Sequence, residues 1–324
     1  MAFVKRLPTQ PRFDFAGKRK ITLAASGVLM VLSILAVATL GLNLGVDFRG
    51  GIVMEIETEA ETADLPDIRA QMNGLGLGDV TIQSFGAPDV VRMQIQEQDG
   101  GAEAQQAAIE KIRDALDPRV SEWRRVEFVG PAVGEELKQA GMMATGLALA
   151  AMALYIWFRF EWQFAAAGLA ALVHDLVLTL GFFSVTQLEF NLGTVAAVLT
   201  IAGYSINDTV VIFDRVREIL RKYKRKSMPE LVNISLNSTL TRTLLTSGTT
   251  LIALIALAIF GGAVIRSFTW ALIFGVAIGT YSSVGFGTPL LMLFGVKPST
   301  VAVAQESDKE AAARVSGQQG GSGA

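Results

Sequence analysis

The chain has 324 residues, 51% of them hydrophobic, with a mean hydropathy of +0.43 and a formal charge of −2; this apolar balance excludes one soluble core as the bulk of the protein. Cysteine is absent and histidine occurs once, as His174, which excludes disulfides, thiolate metal sites and clusters of imidazole ligands. No metal, cofactor or nucleic-acid partner is expected.

Six apolar runs are long enough to cross about 30 Å of hydrocarbon as helices, at 21–44, 140–158, 164–185, 192–213, 244–260 and 268–294. The first exceeds a signal-peptide core of about 7–15 residues, and no A-x-A pattern closes it, so it is expected to stay as an anchor. Basic residues set the orientation. Residues 1–20 carry Lys5, Arg6, Arg12, Lys18, Arg19 and Lys20 against Asp14, and 214–243 carries Arg215, Arg217, Arg221, Lys222, Lys224, Arg225, Lys226 and Arg242. Both segments are expected in the cytoplasm, the second as a loop within a five-helix region at 139–294. An even number of spans puts the C-terminus, behind Lys297, on the same side. The stretch 295–324 ends SGQQGGSGA and is expected to be a largely disordered cytoplasmic tail.

Residues 45–138 hold nine basic and nineteen acidic residues, a local charge of −10, as fits a translocated, water-exposed domain. Alternation predicts strands at 52–57, 80–85, 90–95 and 123–129, with a turn at Gly86, Ala87, Pro88 and Asp89. Helical spacing of Leu65, Ile68, Met72 and Leu75, and of Ala108, Ile112, Ala115 and Leu116, predicts helices over 65–76 and 103–116. The order is βαββαβ, so the expected class is a membrane protein of six transmembrane α-helices with one external ferredoxin-like α+β domain.

A carboxylate within apolar sequence carries the functional reading. Asp208 lies in LGTVAAVLTIAGYSINDTVVIF (192–213), where a central Asp costs roughly 2.5–3.5 kcal/mol to insert, and such residues face the bundle interior and often serve proton or ion pathways. Thr200, Tyr204 and Asp208 are spaced by four, with Gly203 and Asn207 on the adjoining row, which gives a polar face. Arg242 opens the fifth span from the same side and is long enough to reach inward along its stem. An ionic switch and a pair that merely neutralises itself for assembly both fit these two residues. His174 and Asp175, with Asn207, are secondary candidates: the His–Asp couple could pass protons near neutral pH, and burial against a neighbouring helix accounts for it equally. Hydroxyls at Thr243, Thr246, Ser247, Thr249 and Thr250 read as packing. Gly275, Gly279, Ser283 and Gly287, four residues apart, predict close helix approach within the bundle or with a partner.

Several motifs resemble one family. GVDFRGG (45–51), VGPAVGEEL (129–137), HDLVLTLGFF (174–183), IAGYSINDTVVIFDRVRE (201–218) and LNSTLTRTLLTSGTT (236–250) are similar to the SecD/SecF family, membrane subunits that assist the Sec protein-translocation channel, and specifically to its SecF type. The resemblance implies half of a resistance-nodulation-division-like assembly in a bacterial inner membrane, completed by a SecD-type subunit, that uses the proton-motive force to assist export of unfolded preprotein. It implies that Asp208 and Arg242 are the proton-coupling residues, and that Asp47, Phe48, Gly50 and Gly51 form the junction between membrane and periplasmic domain. Enzymatic function is not expected: GYS at 203–205 lacks the following small residue of a nucleophile motif. The alternative is half of a proton-driven small-molecule exporter of the same plan, for which 94 external residues leave little room for a substrate cavity.

Overall fold

The computed structural model describes residues 13–262 and 264–296; Lys5, Arg6 and Arg12, Lys297 and the tail beyond it lie outside the described residues. Six helices are long and apolar enough to cross a membrane. The first, α1 (Arg19–Leu40), stops four residues before the end of its apolar run, because Gly41 takes φ +68°. Leu44 then pairs with Phe190 in an isolated parallel bridge, and a short helix, α2 (Val46–Arg49), leads into the α+β domain.

That domain contains β1 (Gly51–Thr58), α3 (Leu65–Gly74), β2 (Val80–Phe85), β3 (Ala87–Ile95), α4 (Gly101–Leu116) and β4 (Val120–Val129). The βαββαβ order is the expected one. All neighbouring strands are antiparallel, in the spatial order β2-β3-β1-β4, an arrangement compatible with a ferredoxin-like unit. The turn between β2 and β3 is tighter than the four residues expected: only Gly86 separates them, at φ +87°, and β3 takes up Ala87, Pro88 and Asp89. Alternation places Ile52, Met54, Ile56, Ile82, Val91, Met93 and Ile95 on one face, packed against Ile68 and Met72 of α3 and Ile109 and Ile112 of α4. Each such side chain, fully buried, contributes about 1.5–3 kcal/mol. On the same face of β4, Val126 is only partly buried and Phe128 is 39% exposed, because β4 is an edge strand. The opposite face is not solvated throughout: Val53, Glu55, Val90 and Arg92 are buried as well.

The remaining spans are α5 (Pro131–Arg159), α6 (Trp162–Thr186), α7 (Leu192–Lys222), α8 (Met228–Phe260) and α9 (Arg266–Ser282). A π-helical turn, Ser283–Gly287, continues α9 into α10 (Thr288–Leu293). The three longest helices, α5, α7 and α8, run well past the hydrocarbon core. At 1.5 Å per residue, the 29 residues of α5 span roughly 43 Å, so the helix starts at Pro131, above the expected domain boundary at 138. The segment 214–243, expected as a loop, is mostly helical: α7 runs on to Lys222, and α8 starts at Met228 with a capping box between Ser227 and Glu230. The reason is an apolar stripe. Phe213, Val216, Ile219 and Leu220 of α7 meet Leu231, Val232 and Leu236 of α8 in one buried cluster, while Arg217 bonds Glu161 at 2.9 Å and Arg159 bonds Asp214 at 2.6 Å.

Within the bundle α6, α7 and α9 form the interior, while α1, α5 and α8 are largely exposed along their apolar windows. The small-residue row of α9 contacts the bundle's own α7: a Cβ at Gly275 would run into Ile201, and one at Gly279 would come within 3.2 Å of Ser205 Cβ.

Candidate functional site

Asp208 lies on the buried side of α7, only 4% exposed. Its side-chain partner is Ser247 of α8, whose hydroxyl donates to Oδ2 at 3.5 Å. Ser247 is in turn 2.7 Å from Thr280 Oγ1 of α9, and Tyr204, one turn before Asp208, donates to Ser247 at 3.4 Å. Thr209 and Ser283 share a hydrogen bond of 2.9 Å on the adjoining face. The carboxylate therefore sits where three helices meet and hydroxyls from two of them converge.

Arg242 forms no salt bridge with Asp208 among the described residues, and it is exposed. It precedes Ser247 by five positions, which on an α-helix is about 7.5 Å along the axis and ~140° around it. Thr243, the next residue, does share the inward face: it is 1% exposed, and its hydroxyl is buried without a partner. Asn207 is exposed on the far side of α7 with Thr200 and Gly203, so the polar face read from sequence is divided between an inward row, half-buried Tyr204 and buried Asp208, and an outward one.

His174 and Asp175 are fully buried in mid-α6. His174 Nδ1 is 2.8 Å from Asp175 Oδ1, while Oδ2 accepts hydrogen bonds from Ser205 of α7 at 2.5 Å and Ser282 of α9 at 2.7 Å. The imidazole stacks on Phe286 at 4.5 Å, and its Nε2 has no partner. Asp175 thus joins α6, α7 and α9, and Ser205 lies only one turn from Asp208. Sequence reasoning missed Ser205, Ser282 and Ser247 as carboxylate partners; the signal was their coincidence with small-residue rows, visible only once the helices are paired.

At the junction, Gly50 and Gly51 take φ +71° and +107°, backbone that L side chains avoid. A Cβ on Gly51 would also stand 2.5 Å from the Ile95 carbonyl. Asp47 Oδ2 accepts the backbone N–H of Leu192 at 2.9 Å, which ties the junction to the first residue of α7, and Phe48 packs on Phe190 with ring centres 6.3 Å apart.

Comparison with known proteins agrees with this architecture. Residues 108–297 match the family described as "Protein export membrane protein SecD/SecF, C-terminal", and residues 35–61 match the "SecD/SecF GG Motif". Protein translocase subunit SecF of Rickettsia bellii is 45% identical over 91% of this chain and 97% of its own length. The subunit of the same name from Magnetococcus marinus is 48% identical over 87% and 91%. Among solved structures, SecDF of Thermus thermophilus, described as a translocon-associated membrane protein, superposes with a TM-score of 0.79 at 33% identity, covering 89% of this chain. SecDF in a super-membrane-facing form gives 0.65 at 34% identity over 92% of the chain. The chain spans 39% and 40% of those two structures. Matched by family over more than half its length and by relatives over nearly all of it, the chain belongs to the SecD/SecF family of protein export membrane proteins.

Proposed function

We propose that the chain is a SecF-type subunit of protein translocase that works with a SecD-type subunit and the Sec translocation channel, and that it uses the proton-motive force to assist preprotein export. The observation that carries this reading is Asp208: a carboxylate 4% exposed within a membrane-spanning helix, met by the Ser247 hydroxyl and, among the described residues, by no salt bridge. A group so placed can exist with or without its proton, and hydroxyls, which both donate and accept, serve either state. The 39% coverage of SecDF supports a partner that supplies the rest of the assembly.

Asp208 takes up a proton from the outer side and releases it toward the cytoplasm. Arg242 stabilises the ionised state when α8 moves against α7 to bring it onto the Asp208 face. His174 and Asp175 hold the neighbouring helices in place. The lipid bilayer is that of the bacterial inner membrane, with 13–20, 160–161 and 223–227 on the cytoplasmic side and the α+β domain in the periplasm. Asp208→Asn keeps size and hydrogen bonding while removing the titrating proton. The variant is expected to insert and to bind its partner, but to lose the gradient-dependent part of preprotein export in inverted vesicles. Full gradient-dependent export by the variant would exclude the proton-carrier role.

A further inference from the structure

The buried second face of the sheet is closed by the loop between α6 and α7. Arg92, in the middle of β3, places Nη1 2.7 Å from Oε2 of Glu189, with the two side chains 9% and 10% exposed; Nη2 also donates to Oε1 at 3.2 Å. This two-point grip is the planar fork geometry that only arginine offers a carboxylate. Glu55 of β1 lies 3.7 Å from Arg92 and from Arg125 of β4. Glu189 stands three residues before α7, whose first N–H is held by Asp47 from the junction. Asn43 donates to the Gln187 carbonyl at 2.9 Å, and the Gly45 N–H bonds the Phe190 carbonyl at 2.9 Å. The external domain is therefore attached to the membrane bundle in three places. Two are covalent, through α2 and α5; the third is side-chain chemistry aimed at the outer end of α7.

We propose that the Arg92–Glu189 contact is a coupling latch that makes the position of the external domain follow the outer end of α7, the helix that bears Asp208. The proposal rests on the reading of Asp208 given above for what drives α7. Its structural content, that one arginine–carboxylate contact holds the domain to that helix, stands apart from it. Arg92 and Glu189 are positioning residues in this scheme.

The latch also responds to acid on the outer face. Burial pushes the Glu189 carboxyl above its ordinary range; Arg92 pulls it back, Asp47 raises it, Arg125 lowers it and Glu55 raises it. Arg266 lines the same cleft of about 110 Å³. A carboxyl whose pKa is higher docked than free binds its proton more tightly when docked, so docking gains as pH falls and weakens as pH rises through the raised value. The protonated acid still accepts from the arginine fork through its carbonyl oxygen.

The absence of cysteine permits a direct test on the full-length chain in lipid nanodiscs, without gradient or preprotein. Spin labels at Ala87→Cys in the domain and Ile259→Cys at the outer end of α8, both exposed, report the separation of domain and bundle. The otherwise unaltered chain is expected to give one narrow distance distribution that broadens as pH rises. Arg92→Glu, which faces two carboxylates, is expected to lose the narrow component, the exchange Arg92→Glu with Glu189→Arg to restore it, and Glu189→Gln to keep it at every pH. A narrow distribution in Arg92→Glu, no recovery in the exchange, or a distance in the unaltered chain that does not change with pH would each overturn the latch. Because no gradient is present, these outcomes are independent of whether Asp208 carries protons; export by Asp208→Asn decides that separately.

Discussion

The hydroxyl of Ser282 donates to Asp175 Oδ2 at 2.7 Å, at the last residue of α9 before its π-helical turn. The same oxygen holds Ser205, so one carboxylate fixes the spacing of three interior helices.

Removing it leaves two hydroxyls and an imidazole buried without that partner. Each abandoned polar group costs about 1–3 kcal/mol, so Asp175→Ala is expected to lower the thermal unfolding midpoint in detergent by several degrees or to prevent recovery of folded protein. Asp175→Asn, which can still accept at one atom and donate at another, should be milder. Equal midpoints for Asp175→Ala and the unaltered chain would remove the clamp role.

Gly51 has no room for a side chain, since both its positive φ and the Ile95 carbonyl oppose one. Gly51→Ala is expected to destabilise the first strand by roughly 1–3 kcal/mol. Limited proteolysis of the full chain in membranes should show faster cleavage within 52–129, while Gly74→Ala, where nothing lies within 4 Å, should leave the rate unchanged.

The two sorts of transmembrane glycine separate cleanly. Gly275→Val drives a branched side chain into Ile201, and overpacking of this kind costs about 1–3 kcal/mol or more. Gly203 and Gly248 face open space, and alanine there should be tolerated. Melting of the three variants side by side is the measurement; a Gly275→Val protein as stable as Gly203→Ala would contradict the close α7–α9 approach.

Before α1, Asn233 of α8 gathers the incoming chain: its Oδ1 accepts the N–H groups of Phe15 and Ala16, each at 2.9 Å, and its Nδ2 donates to Asp14 at 2.9 Å. The Asn233 hydrogen bond, with the Gly17 N–H, holds the Asp14 carboxyl below its ordinary pKa. A lowered pKa means that this anchoring is present above the ordinary carboxylate value and is lost as pH falls through the lowered one. Asn233→Ala should speed amide hydrogen exchange at Phe15 and Ala16 at neutral pH. Exchange no faster than in the unaltered chain would show that the segment is held by other contacts.

Periodicity made much of this legible in the sequence. The strand at 80–85 emerges with its expected limits, and the others within a few residues, because alternation against two helices is a local signal. The long extension of α7 and α8 past their apolar runs was hidden by charge: eight basic residues between 214 and 243 read as a loop, although Phe213, Val216 and Leu220 already carried helical spacing. Asp208 stood out because its insertion cost depends on its immediate neighbours alone. Its partner did not, since the choice between Arg242 and Ser247 depends on the rotation of one helix against another. Likewise nothing local connects Arg92 to Glu189, 97 positions away.

The π-helical turn in α9 has a mechanical consequence. Ile201, Ser205, Thr209 and Phe213 on α7 meet Gly275 and Gly279 on α9 and Ser283 and Gly287 on its π-helical continuation, in that order, and every pair is offset by the same 74 positions. On an ordinary α-helix, steps of four drift around the axis by about 40° each. The wider π turn slows that drift where it would have carried Gly287 away from Phe213. The two helices are thus meshed like gear racks over four teeth. They cannot creep past one another, since the smallest slip that re-engages the teeth is about 6 Å, so any displacement of α7 smaller than that must carry α9 with it.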